Sequence, residues 1–113
     1  MPGENPGLDL TMLSALAEPN RMHIVELLRG GPLTVGEIAD RLGLRQPQAS
    51  KHLKVLGASG IVEVKAEANR RFYKLRSEPF QALDGWVKTF RNVMEDRFDT
   101  LEDYLRGLQQ TEK

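Results

Sequence analysis

From Thr34 to Leu75 the chain is punctuated so closely that only short elements fit between its stops. Thr34 stands three residues before Glu37, the spacing of a reciprocal capping box in which each side chain serves a backbone N–H of the other at a helix start. Ile38, Ala39 and Leu42 give that helix one apolar side, and Gly43 ends it. After the Leu44-Arg45 turn, a further helix starts near Gln46. Pro47 is tolerated there because a first-turn N–H has no intrahelical partner to lose. The helix runs to about Ser59, with Gly60 placed as a left-handed terminator. Ile61 to Ala66 and Arg70 to Leu75 then alternate as strands, and the short Glu67-Ala68-Asn69 connection makes them a hairpin.

The flanks complete the pattern. Residues 1–7 (MPGENPG) form a Pro- and Gly-rich tail, expected to be flexible. Leu8, Met12, Leu13 and Leu16 follow helical spacing up to Pro19, and Asn20 to Arg29 forms a second helix with Ile24, Leu27 and Leu28 inward. Downstream, one long helix is expected from near Pro79 to Leu108, with a short tail at 109–113. Its apolar positions, Phe80, Leu83, Val87, Phe90, Met94, Phe98, Leu101, Leu105 and Leu108, recur every three or four residues. Such a helix spans about 40 Å at 1.5 Å per residue, more than a small domain's core can cover. A second copy of the chain is the simplest partner for the excess; the alternative is a helix folded back over its own domain. The expected fold is therefore mainly α with a small β-hairpin: a winged helix-turn-helix domain over 8–76 and a long C-terminal dimerisation helix over 77–108.

Charge sharpens the reading. The 113 residues sum to zero, but 41–76 carry nine Lys/Arg against two Glu, a local +7, while both flanks are acidic. Association depends on the field at the contacting face rather than on the total. With Ala49, Leu53 and Leu56 inward on the helix after the turn, Pro47, Gln48, Lys51 and Lys54 point outward and Gln46, Ser50 and His52 lie on the flanks. Gln pairs with adenine, Lys donates to guanine or phosphate, and Ser50 and His52 suit backbone oxygens at the groove edges. Asn69, Arg70 and Arg71 sit at the hairpin tip, where a wing reaches phosphates or the minor groove. These residues are the expected DNA-binding set, and double-stranded DNA the expected partner. The alternative is a winged-helix adaptor whose basic face binds an acidic protein.

Other chemistries find little support. There are no cysteines, and the two histidines, His23 and His52, lie in separate helices, so no metal site and no cofactor are expected. No nucleophile–base pair or Gly-rich phosphate loop marks an enzyme. The absence of any apolar run of membrane-spanning length leads us to expect a cytoplasmic location and no membrane partner.

The ordered motifs resemble those of the ArsR/SmtB-type bacterial repressors. They comprise Ala15-Leu16-Ala17-Glu18-Pro19-Asn20-Arg21 opening into Ile24-Val25-Glu26-Leu27-Leu28, then Thr34-Val35-Gly36-Glu37-Ile38-Ala39, Gln46 through Leu56, Ala58-Ser59-Gly60-Ile61-Val62 and the Arg-Arg-Phe-Tyr-Lys-Leu strand. The resemblance covers roughly residues 10–108. It implies a homodimeric repressor on a palindromic operator, with Gln46, Gln48, Ser50, Lys51 and His52 at DNA-contacting positions. It also implies that the first and last helices form the dimer interface, which would draw on Leu8, Met12 and Leu13 together with Phe80, Leu83, Val87, Phe90, Met94, Phe98, Leu101 and Leu105. The family's metal sensors use cysteines on the third helix or histidines with carboxylates on the last. This chain has neither, so it looks like the cysteine-free branch, and its effector is left open.

Overall fold

The computed structural model describes residues 10–111, without the side chains of 96–100 and 109–111. The expected tail at 1–7, Leu8 and the last two residues lie outside it, as does the Phe98 side chain. The elements are α1 (Leu10–Leu16), α2 (Pro19–Leu28), α3 (Val35–Leu42), α4 (Gln46–Ala58), β1 (Val62–Glu67), β2 (Arg70–Leu75), α5 (Ser77–Lys88) and α6 (Arg91–Thr111).

Local chemistry explains most boundaries. Glu18 caps α2, its carboxylate accepting the Arg21 N–H at 2.8 Å, and the Arg21 guanidinium donates back to the Ala15 carbonyl at 2.7 Å, tying α1 to α2. The capping box of α3 is formed in both directions: the Thr34 N–H donates to Glu37 Oε1 at 3.0 Å and the Glu37 N–H to Thr34 Oγ1 at 3.2 Å. Gly43 closes α3 in the left-handed region at φ 67°, and the Leu44 N–H returns to the Ala39 carbonyl. Gly60, at φ 77°, turns the chain out of α4.

The core lies between α1–α4 and the root of the hairpin. Ile24, Ile38, Leu53, Leu56 and Ile61 are fully buried at its centre, and Phe80 and Leu83 of α5 pack on it from outside. The hairpin is antiparallel with Val62 opposite Leu75 and Glu67 opposite Arg70. Its connection is two residues, Ala68-Asn69, shorter by one than the sequence suggested. Ala68 takes φ 54°, which lets the strands stay paired as far as Glu67. Leu33 adds a third-strand bridge to Tyr73, exchanging N–H···O bonds of 3.1 and 2.8 Å.

Two expectations are corrected. The last helix is not continuous: it breaks at Thr89-Phe90 into α5 and α6. The Thr89 hydroxyl donates to the Trp86 carbonyl at 2.6 Å, and the Thr89 and Phe90 N–H groups bond three residues back, tightening the turn and ending the α-helical ladder. α6 then runs on to Thr111, into the stretch expected to be a tail. Met12, expected at the dimer interface, is instead packed into its own core at 3% exposure.

Beyond Leu83 the C-terminal helices leave the domain. The chain measures 70 Å along its longest axis, with a radius of gyration of 20.2 Å, against about 13 Å for a compact chain of this length. No helix among the described residues is long and apolar enough to cross a membrane.

Candidate nucleic-acid interface

α4 divides cleanly. Ala49, Leu53 and Leu56 are buried, while Gln46, Pro47, Gln48, Ser50, Lys51 and Lys54 are exposed along the opposite side. The exposed residues are not equally free. Gln48 Oε1 accepts the Arg45 N–H at 3.0 Å, so its oxygen serves the helix start while its amide N–H groups remain as donors. The Gln46 amide lies back against the bare Cα of Gly36, where a Cβ would stand 3.2 Å from Nε2. His52 is less exposed than the rest: its side chain is 21% exposed and its Nδ1 lies 3.7 Å from Glu18 Oε2 at the head of α2.

The hairpin tip carries Asn69, Arg70 and Arg71, all exposed. Arg70 bends back: its guanidinium lies over the Phe72 ring at 5.2 Å and reaches to 4.0 Å from Glu37 Oε1 of α3. The Glu37 carboxyl is held below the usual carboxylate range, first by the backbone and hydroxyl donors of Thr34, then by the charges of Arg70 and Arg41.

Strand register sorts the cations further. Lys74 stands opposite Glu63 and pairs with it at 3.3 Å, Lys65 lies 4.0 Å from Glu67, and Arg76 binds Glu78 at 2.7 Å. With Arg70 on Glu37, four of the nine basic residues of the +7 segment have acidic partners. Arg41 acts on Glu37 through its charge, and among the described residues Arg45, Lys51, Lys54 and Arg71 have no acidic partner. These four stand on the turn, α4 and the wing, so the uncompensated charge concentrates on the elements that would face a duplex. Arg41 and Arg45 were absent from the expected site. Their signal was available, since Arg45 immediately precedes α4.

The expected interface residues fall into two groups. Leu13, Phe80 and Leu83 are half-buried against their own core. Val87, Phe90, Met94, Leu101 and Leu105 are exposed, and Trp86, Val93 and Tyr104 add apolar surface beside them. Trp86 and Phe90 meet edge to face at 5.0 Å across the helix break.

Residues 16–65 match a family model described as a helix-turn-helix domain. Among curated proteins, the chain is similar to the transcriptional repressor SdpR of Bacillus subtilis, with 28% identity over 72% of this chain and 90% of that protein. It is also similar to the transcriptional activator HlyU of Vibrio cholerae, with 35% identity over 71% of this chain and 74% of that one. Among solved structures, an ArsR family transcriptional regulator, RHA00566, superposes with a TM-score of 0.65 at 29% identity, covering 76% of this chain and 89% of that one. A homodimeric winged helix-turn-helix DNA-binding domain, Mb0332 of Mycobacterium bovis, superposes with a TM-score of 0.59 at 28% identity, covering 77% of each.

Proposed function

Because the chain belongs to the ArsR/SmtB family of winged helix-turn-helix transcriptional regulators, we propose that it is an intracellular homodimeric repressor that binds a palindromic operator. The carrying observation is the four cations without acidic partners among the described residues, gathered on the turn, α4 and the wing. In this reading α4 enters the major groove. Ser50, Lys51, Lys54 and the N–H groups of Gln46 and Gln48 contact the duplex, and Arg71 reaches phosphate from the wing. Arg70 serves chiefly as the wing's strut, because its guanidinium is already engaged by Phe72 and Glu37.

Dimerisation rests on the apolar surface of Val87, Phe90, Met94, Leu101 and Leu105, and on the homodimeric state of Mb0332. Repression rather than activation follows SdpR; HlyU is named an activator, so the sense of control is a separate question from binding. Selection from random duplexes tests the binding reading. An enriched inverted repeat with half-site centres about 34 Å apart, or a multiple of that, is the expected result. A flat selection, with only salt-sensitive binding, would favour the adaptor instead. A reporter driven from the selected operator then decides the direction of control.

A further inference from the structure

Gly36 is the second residue of α3, and its backbone does not explain it. The glycines with positive φ are Gly31, Gly43 and Gly60, so any L-residue could adopt the Gly36 conformation. A glycine at a helical position gives up stability relative to alanine, so some other constraint favours it here. The space around it supplies one. A Cβ on Gly36 would stand 3.2 Å from Gln46 Nε2 and 4.0 Å from Thr34 Oγ1. The first of these is tighter than an ordinary contact and would move the amide by a few tenths of an ångström.

Gln46 is the first residue of α4 and is exposed, so its flexible side chain can give way at little cost to folding. The cost would fall on where the amide points. We infer that Gly36 is a positioning residue for DNA recognition: by lacking a side chain it lets the Gln46 amide rest on the first turn of α3, aimed at the duplex edge. The inference rests on the proposed DNA-binding role of α4. It differs from a packing role because Gly36 and Gln46 lie outside the buried core.

The test uses the full chain and the operator recovered by selection, with wild type, Gly36→Ala, Gln46→Ala and the double variant. Gly36→Ala is expected to keep or raise the thermal midpoint while weakening operator affinity roughly three- to tenfold, the size of one hydrogen bond. Gln46→Ala should lose a similar factor, and adding Gly36→Ala to it should cost nothing more. Wild-type affinity in Gly36→Ala would overturn the inference, as would an equal further loss in the Gln46→Ala background. If Gly36→Ala fails to fold, Gln46→Ala alone decides: a three- to tenfold loss supports the inference and unchanged affinity sinks it. A wild-type protein that selects no operator instead removes the DNA-binding reading, and the inference with it.

Discussion

Replacing Lys51, Lys54 and Arg71 together with alanine probes the division between paired and unpaired cations. Each phosphate neutralised on duplex DNA contributes about 0.9 to the slope of log K against log salt, through release of condensed counterions. Three cations per protomer make six per dimer, so full engagement lowers the slope by about 5. Between 50 and 200 mM salt, the wild type would then lose about 10³ more affinity than the variant. The matched control is Lys65→Ala with Lys74→Ala. Those ammonium groups already lie 4.0 Å from Glu67 and 3.3 Å from Glu63, so their removal should change the slope by less than about 1. Fluorescence anisotropy on the selected operator, titrated at a series of salt concentrations, measures both. An unchanged slope in the triple variant, or a control that falls as far, would refute the reasoning.

Two further predictions concern the scaffold. Leu56 is fully buried beneath α4, so Leu56→Ala should cost about 2–5 kcal/mol, while Val55→Ala, at 41% exposure, should stay within about 0.5 kcal/mol. Urea unfolding followed by circular dichroism compares them, and similar midpoints would contradict the burial described for α4. Glu37 titrates below its ordinary 4.5, so its contribution is present above the unfolded-state value and is lost as pH falls through the lower folded value. Glu37→Gln should therefore flatten part of the decline in urea midpoint on the acid side of pH 4.5. Part of the decline should remain, because Glu78 is lowered too, chiefly by the Ser77 hydroxyl and then by its own backbone N–H and Arg76. Parallel curves for wild type and variant would rule out the Thr34–Glu37 box as a source of the acid sensitivity.

What could be read in advance divides by the range of the forces involved. The Thr34–Glu37 box, the left-handed Gly43 and Gly60 and the buried side of α4 are decided within a few residues, and each stood where its local chemistry required. The break at Thr89 escaped because apolar periodicity does not register a hydroxyl taking the carbonyl three residues behind it. Met12 escaped for a different reason: a methionine sealed in its own core and one against a partner present the same pattern. The site was legible as a set of charges but not as a set of contacts. Whether Lys74 faces Glu63 depends on register, and whether Arg70 or His52 points outward depends on α3 and α2, which only the fold brings near.

The bridge between Leu33 and Tyr73 has a kinetic side. It joins residues about 40 positions apart, and everything proposed to touch DNA lies on the loop it closes. Closing a loop of that length costs on the order of 3 kcal/mol of chain entropy in the length-dependent part alone. The two hydrogen bonds can therefore form late, after α3 and α4 have shortened the effective loop by becoming rigid. The root of the wing is thus the latch that closes the ring around α4, and its bridge is expected to follow α3 and α4 in folding rather than precede them.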